Sequence, residues 1–333
     1  MNTIPTISNP CLPSYTAVGG KVRQADTGLS AVVLNRPGPH SRHWYFQELK
    51  EAGFDYVLSI ENTHHHYDME ELSKRFPFAR FILPHQPLSF GEQINLAAAE
   101  LASPLFFVLW NDVKITASCN VKQVIEQIKI EQNDSKEDAS PYRRLCTVPL
   151  ILNPRFEAIP TLVMPTVSKR KIGTMLFSPY NEGLPSLYPY DGIGIYDKDR
   201  FVKMGGFDGT LKNAYWQLID FGFRSYLWGE DISVNQQINI MYDKDPPLED
   251  QTIDESFCRF YFKNLAPVLK RDAAFLPLNA FFTYLFSSRS ELFHSWEEFA
   301  KCKRWVKENA FRWKGDAQTV IERWDGILGN GES

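Results

Sequence analysis

The sequence predicts an α/β protein with a doubly wound, mostly parallel sheet, followed by a C-terminal helical region. Between residues 30 and 112, short apolar runs alternate strictly with segments of helical spacing. The connections between them are short, which is typical of a parallel sheet covered by helices. From Asp254 onward the spacing indicates helices. A chain of 333 residues is long enough for one large domain with a helical appendage.

Three regions are predicted from this pattern. Residues 1–29 are rich in Pro, Ser, Thr and Gly and show no periodicity, so we expect an irregular lead-in. Residues 30–265 are expected to form the sheet domain, and residues 266–333 the helical region.

The apolar runs of the first half predict strands buried on both faces, because they are continuous rather than alternating. The predicted strands are residues 30–35, 56–60, 79–83 and 105–110. The segments between them have helical spacing, and Gly53 stands where a helix C-cap is expected. The predicted helices are residues 44–52, 69–75 and 89–101.

The second half of the sheet domain is less regular. Residues 131–142 are polar and predict a surface loop, whereas residues 145–152 and 161–164 predict strands. Further along, a strand near Tyr190 leads to the glycine turn that ends at Asp208 and then to an aromatic-rich helix. The apolar stripe of that helix comprises Trp216, Ile219, Phe223 and Leu227. Asp220 and Arg224 lie on another face and are spaced to form an ion pair.

Two later segments are also distinctive. Residues 243–252 form an acidic loop that contains proline. Residues 273–286 are strongly apolar but are interrupted by Pro277. They predict either a packed helix or a segment that grazes a membrane surface, which would make the protein peripheral at the inner face of a membrane.

Composition and charge argue against several classes of protein. The net charge of −4 and the pI near 6.0 disfavour a general nucleic-acid binder, which needs a basic face. Five scattered cysteines without a C-x-x-C motif indicate free thiols in a reducing compartment. Neither a secretory signal nor a membrane-spanning run is evident, so we expect a cytoplasmic protein.

Polar side chains follow three of the predicted strands. Ligands bind beyond the carboxyl ends of the strands in such sheets, so Arg36, Glu61 and Asp112 should converge on one cleft. Asp112 is placed to hold a divalent cation against a diphosphate, although an Asn-Asp pair also caps turns. Glu61 either binds a ribose or base or is an ordinary loop acid. Gly91 opens a helix whose N–H groups could face a phosphate.

Two clusters resemble ligand sites but have simpler interpretations. His64-His65-His66 predicts a solvated loop, because three consecutive side chains do not converge readily on one ion. Lys169-Arg170-Lys171 is either solvated surface or a phosphate contact.

Taken together, residues from about 30 to 265 resemble family 2 glycosyltransferases of the GT-A fold. The resemblance rests on several motifs that occur in the family's order and spacing. They are Val32-Val33-Leu34-Asn35-Arg36, Glu61, Gly91, Asn95, Leu109-Trp110-Asn111-Asp112, Asp199-Arg200-Phe201, Met204-Gly205-Gly206-Phe207-Asp208, Tyr215-Trp216, Asp220, Arg224 and Arg259-Phe260-Tyr261-Phe262-Lys263-Asn264.

The resemblance implies a catalytic domain with a nucleotide-binding half at residues 30–130 and an acceptor half at residues 145–265. Its activity would be inverting transfer of a sugar from a nucleotide diphosphate-sugar to a saccharide or lipid-linked acceptor, as in polysaccharide biosynthesis. Asp112 would hold Mg²⁺ or Mn²⁺. The nucleotide-sugar would contact Asn35, Arg36, Glu61, Gly91, Asn95 and Asn111, while Asp208 and Trp216 would shape the acceptor side.

The chain departs from the family at two motifs. Trp110 stands where the metal motif has its first acid, and Gln217 and Leu218 replace the Glu-Asp pair that carries the catalytic base. Inverting transfer needs a carboxylate to take the acceptor's proton, and Asp220 is the leading candidate, followed by Asp191.

Other interpretations stay open. The alignment of the helix with the family motif could be wrong by one turn, or the protein could bind a sugar or nucleotide without catalysis. A nucleotidyltransferase on a similar sheet is a third possibility, for which Arg36-Pro37-Gly38-Pro39 is a poor phosphate-binding loop.

Overall fold

A computed structural model describes residues 12–38, 41–61, 69–116, 120–137, 143–168, 171–288 and 292–324. The strands in chain order are β1 Tyr15–Gly19, β2 Leu29–Leu34, β3 Val57–Ile60, β4 Ala79–Pro84, β5 Leu105–Trp110, β6 Val113–Ile115, β7 Arg143–Leu152, β8 Leu162–Ser168, β9 Lys171–Phe177, β10 Gly194–Asp197, β11 Glu230–Tyr242, β12 Val268–Lys270 and β13 Ala273–Phe275. The helices are α1 Arg42–Glu51, α2 Met69–Arg75, α3 Phe90–Glu100, α4 Val121–Glu137, α5 Lys198–Met204, α6 Ala214–Leu227, α7 Glu255–Phe260, α8 Leu278–Ser288, α9 Leu292–Asn309 and α10 Ala317–Glu322.

The centre of the protein is a 9-stranded sheet with the order β1-β4-β3-β2-β5-β10-β7-β11-β6. Strands β4, β3, β2 and β5 are neighbours and all parallel, and β7 and β11 run parallel to each other. Strand β10 lies between the two parallel groups and is antiparallel to both β5 and β7. The strands of the two groups therefore all run in one direction. The predicted α/β class with a mostly parallel sheet is confirmed.

The sequence prediction located the four parallel strands because each of them is mostly apolar and mostly buried. Every residue of β2 and β3 is buried, as a strand covered on both faces requires. Helix α3 begins at a capping box, in which Ser89 and Glu92 exchange side-chain and backbone hydrogen bonds. Because the four strands are parallel neighbours, their carboxyl ends meet at one edge of the sheet.

Two predictions about irregular segments are wrong. The lead-in contains β1, which pairs antiparallel with β4 at the edge of the sheet. It is short and mostly solvated, so its sequence lacks the apolar pattern of a core strand. Residues 131–137, predicted as loop, are the last part of α4, where Glu, Gln and Lys favour helix despite their polarity.

Helix α6 crosses the core and is buried around its whole circumference from Tyr215 to Leu227. The predicted apolar stripe is therefore buried, but so is the opposite face with Asp220 and Arg224, whose predicted ion pair is confirmed. Gly222 lets the helix approach the chain near Leu187, because a Cβ there would lie 2.2 Å from the Leu187 carbonyl oxygen.

Helix α7 precedes the C-terminal region, and the described part of that region contains helices α8 to α10 and the hairpin of β12 and β13. The apolar segment around Pro277 is divided between β13 and α8. Phe281 and Tyr284 of α8 are buried against the core, whereas Phe282 and Phe286 are exposed. Among the described helices, none combines the length and apolar character that crossing a membrane requires.

Candidate functional site

Arg36, Asp112 and Asp191 meet at the carboxyl edge of the parallel strands. Arg36 Nη1 donates to both carboxylate oxygens of Asp112, at 3.1 and 3.0 Å. Its other terminal nitrogen, Nη2, donates to both oxygens of Asp191. Arg36 follows β2 and Asp112 follows β5, so the predicted convergence of these two residues is confirmed. Asp191 reaches the same edge because the antiparallel strand β10 starts there.

The residues beside Asp112 hold Arg36 in place. The Trp110 ring lies under the Arg36 guanidinium, with 3.8 Å between the guanidinium carbon and the ring centroid. Asn111 Oδ1 accepts from the Arg36 backbone N–H at 2.9 Å, and its Nδ2 donates to the Arg36 carbonyl at 3.1 Å. Trp110, which stands where the resemblance to family 2 glycosyltransferases expects a metal-binding acid, thus stacks on a cation.

Asp191 adopts a backbone conformation that few non-glycine residues adopt. Its φ is 55° and its ψ is 19°, a left-handed conformation that aspartate tolerates better than most residues. Its carboxylate also accepts a hydrogen bond of 2.7 Å from the Tyr242 hydroxyl. Burial raises the pKa of Asp191, although Arg36 and Tyr242 oppose that shift.

Glu61 and Asn35 lie at the same edge with partners of their own. Glu61 is buried and accepts from Arg42 through both carboxylate oxygens, and the Ser59 hydroxyl donates to it at 2.7 Å. Asn35 Nδ2 donates to the Ile60 carbonyl at 2.8 Å. The structure therefore ties Glu61 to α1, and it does not join this carboxylate to the Arg36 ion pairs.

Gly91 and Asn95 connect α3 to the glycine turn and α6. The Gly91 N–H donates to Gln217 Oε1 at 2.8 Å, and a Cβ on Gly91 would lie 2.5 Å from Phe207 Cβ. Asn95 donates to the Phe207 carbonyl at 2.8 Å and accepts from the Phe207 N–H at 2.9 Å. Gln217, which stands where the resemblance expects an acid, thus bridges α6 and α3.

Asp208 and Asp220 belong to a second, fully buried group of charges. Lys263 Nζ lies 2.6 Å from Asp208 and 2.8 Å from Asp220, so it joins the two carboxylates. Arg259 also binds Asp208, at 2.8 Å, and Arg224 binds Asp220, at 3.1 Å. Burial opposes ionisation of Asp208, but Lys263 and Arg259 hold its pKa well below the usual range. Neither carboxylate has an exposed surface.

A cavity of 360 Å³ lies beside Asp191, between the start of α6 and the loop of residues 243–252. Asp191, Tyr215, Leu218 and Glu249 are among the residues that line it. Leu218 stands where the resemblance expects the second acid of a pair, and its apolar side chain lines the cavity. Glu249 comes from the loop that follows β11 and was not identified from the sequence.

The loop that carries Glu249 is attached to α6 and to the segment before β10. The Trp216 indole donates to the Thr252 carbonyl at 2.9 Å, and Asn213 Nδ2 donates to the Asp250 carbonyl at 3.1 Å. The Tyr190 hydroxyl donates to the Pro247 carbonyl. Trp216, predicted on the acceptor side, is buried and contributes by holding this loop.

The described residues include no group of three or more His, Cys, Asp or Glu side chains that could hold a metal ion by themselves. The predicted metal residue Asp112 has one guanidinium as its partner. The histidine cluster at residues 64–66, and residues 169 and 170 of the basic cluster, lie outside the described residues. Cys146, Cys258 and Cys302 are buried free thiols, as the sequence predicted for these positions.

Comparison with known proteins gives a likeness in structure but not in sequence. No family model matches the chain, and no curated protein matches it. Two solved structures resemble it at low TM-scores. They are TarS from S. aureus with UDP-GlcNAc (TM-score 0.46, 12% identity, 82% of this chain and 71% of that chain) and the mannosyltransferase PcManGT from Pyrobaculum calidifontis with GDP-Man and Mn²⁺ (0.44, 7%, 96% and 82%).

The similarity to a crystal structure of GalNAc-T7 with UDP, GalNAc and Mn²⁺ is stronger. It has a TM-score of 0.58 at 11% identity, and it covers 91% of this chain and 57% of that chain. The protein thus spans little more than half the length of GalNAc-T7. At this identity the likeness shows the fold alone, and the chain has the GT-A fold.

Proposed function

We propose that the protein transfers a sugar from a nucleotide diphosphate-sugar to a saccharide or lipid-linked acceptor, with inversion. The observation that carries the proposal is the Arg36 guanidinium, fixed between Asp112 and Asp191 at the carboxyl edge of the parallel strands. Ligands of doubly wound sheets bind at this edge. The cavity that Asp191 also lines, and that Asp112 does not line, gives an acceptor a place next to this cluster.

Arg36, Asn35 and Asn111 are the proposed donor-binding residues. A guanidinium binds phosphate through two parallel N–H bonds, so Arg36 can exchange its carboxylate partners for a diphosphate. Asn111 fixes the Arg36 backbone from both sides, and Trp110 fixes the plane of its guanidinium. These contacts orient Arg36 before the donor arrives, which lowers the cost of ordering on binding.

The charges at this site fit a divalent cation with Asp112 as its protein ligand. Two carboxylates face one guanidinium, so the ionised cluster has a net charge of −1. Mg²⁺ is commonly held by one or two carboxylates together with substrate phosphates. A bound ion would neutralise charge on the leaving diphosphate. The GalNAc-T7 structure, which contains Mn²⁺, is consistent with this proposal.

Asp208 and Asp220 are proposed to support the acceptor side indirectly, because their ion pairs with Lys263 join the glycine turn and α6 to the segment that follows α7. Glu61, Gly91 and Asn95 are proposed to shape the nucleotide pocket through α1 and α3. The exposed Phe282 and Phe286 of α8 give a lipid-linked acceptor or a membrane surface an apolar contact.

The test is a calorimetric titration with UDP, GDP, CDP and dTDP, each with and without Mn²⁺. We expect one nucleotide to bind, at least tenfold more tightly with the ion, which corresponds to about 1.4 kcal/mol. Asp112→Asn should abolish the gain from Mn²⁺. Asp199→Asn is the matched control, because the Asp199 side chain is 72% exposed and pairs only with a neighbouring lysine in the described structure.

Two results would contradict the proposal. If Asp112→Asn kept the full gain from Mn²⁺, Asp112 would not be the metal ligand. If a nucleotide bound but its sugar was never released or transferred, the alternative of a non-catalytic binding protein would replace the transferase. That alternative is favoured by Gln217 and Leu218, which cannot accept the acceptor's proton.

A further inference from the structure

We propose that Glu249 is the catalytic base, a role that the family assigns to helix α6 and that no acid of α6 can fill here. This inference rests on the proposed transferase function and adds the residue that takes the proton from the acceptor hydroxyl. It is carried by the position of Glu249 in the cavity and by the state of its two carboxylate oxygens.

Glu249 lies in the same cavity as Leu218. Leu218 of α6 lines the 360 Å³ cavity at the place where the resemblance expects an acid, and Glu249 lines the same cavity from the facing loop. Asp191 also lines this cavity, so the cavity has two carboxylates beside the proposed donor site. A carboxylate from a different element is thus available for the chemistry that Leu218 cannot perform.

One carboxylate oxygen of Glu249 accepts a hydrogen bond, and the other has no partner among the described residues. The Tyr188 hydroxyl donates to Glu249 Oε2 at 2.9 Å. Glu249 Oε1 is buried and has no hydrogen-bond partner among the described residues. A buried carboxylate oxygen without a partner is costly, and an acceptor hydroxyl would satisfy it. A carboxylate that Tyr188 orients, and that keeps one oxygen without a partner, can act as a general base once an acceptor hydroxyl reaches that oxygen.

The pKa of Glu249 also suits a general base. Burial raises its pKa to about 7, and the neighbouring Asp191 carboxylate raises it as well, while Tyr188 opposes the shift. Tyr190, Tyr215 and Asp250 are the other titratable groups that line the cavity. A base is most effective when its pKa is close to the working pH, so Glu249 is suited to neutral conditions.

The other two carboxylates are less suitable. Asp191 uses its oxygens to accept from Arg36 and Tyr242. Asp220 is fully buried and accepts from Arg224, Lys263 and Asn264. Two carboxylates on one cavity with different environments divide their tasks, as acid–base pairs in enzymes commonly do. Asp191 positions Arg36, and Glu249 is left to accept a proton.

The proposed step transfers the sugar to the acceptor oxygen and the acceptor's proton to Glu249. The acceptor oxygen forms a bond to the anomeric carbon from the face opposite the diphosphate, and its proton passes to Glu249 Oε1. The bond between the anomeric carbon and the diphosphate oxygen breaks, and its electron pair leaves with the nucleoside diphosphate. In donor hydrolysis, water takes the place of the acceptor and loses its proton to the same oxygen.

The experiment measures release of the nucleoside diphosphate from UDP-, GDP-, CDP- and dTDP-sugars, with water or a saccharide as acceptor. Glu249→Gln keeps the shape of the side chain and can still accept from Tyr188, so it should fold. We expect kcat to fall by about 100-fold or more, as for loss of a general base. The dissociation constant of the nucleotide should change less than twofold.

The pH profile provides a second readout. In the wild type, kcat should rise with pH as Glu249 loses its proton near pH 7, and in Glu249→Gln this rise should be absent. Asp245→Asn is the matched control, because Asp245 is an exposed acid of the same loop that does not line the cavity. It should retain the wild-type kcat and pH profile.

The outcomes separate the two proposals. If the wild type turns over a donor and Glu249→Gln does so equally well, Glu249 is not the base and the transferase function stands. If the wild type binds a nucleotide but turns over none of the donors, the transferase function fails and this inference fails with it. Should Glu249→Gln not fold, Glu249→Asp replaces it, with a smaller loss of kcat and the same unchanged nucleotide affinity.

Discussion

Each carboxylate of the predicted site has a role that depends on which cation reaches it. Asp112 and Asp191 share Arg36 at the open edge of the sheet, where the guanidinium can turn to a phosphate. Asp208 and Asp220 share Lys263, which is fully buried together with both of them. We propose that the first pair takes part in binding, whereas the second pair, which has no exposed surface, acts through the stability of the fold.

At this scale we predict that Lys263→Met destabilises the protein strongly. The substitution leaves Asp208 and Asp220 buried without the ammonium that lies between them. Removing one partner of a buried ion pair costs about 3–5 kcal/mol of unfolding free energy, and urea unfolding measures it. Lys301→Met is the control, because Lys301 is a half-exposed lysine that also pairs with two acids, Glu297 and Glu298.

The control substitution should cost less than about 1 kcal/mol, as exposed ion pairs contribute little. Equal losses in Lys263→Met and Lys301→Met would mean that the buried network does not stabilise the fold. Nucleotide binding measured on the folded fraction should be unchanged in both variants, because Lys263 does not contact the Arg36 ion pairs.

At the scale of elements, the site depends on how α3, α6 and the glycine turn are joined. Asn95 of α3 binds both the N–H and the carbonyl of Phe207 in the turn. Gln217 of α6 binds the N–H of Gly91 at the start of α3. The helix that carries Leu218 is therefore fixed against α3, and the loop with Glu249 is fixed against that helix.

Gly206→Ala tests this junction. A Cβ at Gly206 would lie 2.2 Å from Asn95 Oδ1, so Asn95 would have to move and lose its bond to Phe207. Gly183→Ala is the matched control, because its φ of 73° is close to the 65° of Gly206 and a Cβ there meets nothing within 4 Å. Both substitutions share the backbone strain, and the clash adds about 1–3 kcal/mol to Gly206→Ala. Thermal unfolding gives the difference, and equal losses would refute the clash.

At the scale of the whole molecule, the raised pKa of Glu249 makes stability depend on pH. Burial raises this pKa from the ordinary value of 4.5 to about 7, so the folded protein binds the Glu249 proton more tightly than the unfolded chain does. The stabilisation by the protonated carboxyl is complete below pH 4.5 and is lost as the pH rises through 7.

We therefore expect the difference in unfolding free energy between wild type and Glu249→Gln to change with pH. Relative to the variant, the wild type should lose stability between pH 4.5 and pH 7 and then reach a plateau. Urea unfolding of both proteins across this range measures the difference. A difference that does not depend on pH would show that the carboxyl titrates at its ordinary value.

The sequence by itself determined the α/β class, the four parallel strands and the meeting of Arg36 with Asp112. These features depend on local pattern: a continuous apolar run specifies a buried strand, and parallel strands bring their carboxyl ends to one edge. The Asp220–Arg224 ion pair is likewise set by helical spacing.

The tertiary structure alone decided which acids face the cleft. Strand β11 was not recognised in the sequence, although residues 230–242 contain alternating polar and apolar positions. Because β11 runs parallel to β7, the loop after it returns to the edge where Asp191 lies, and Glu249 enters the cavity. The burial of an acidic side chain and its hydrogen-bond partners are set by contacts between residues far apart in the chain. For that reason local spacing made Asp220 a candidate base, and only the packed fold revealed Glu249.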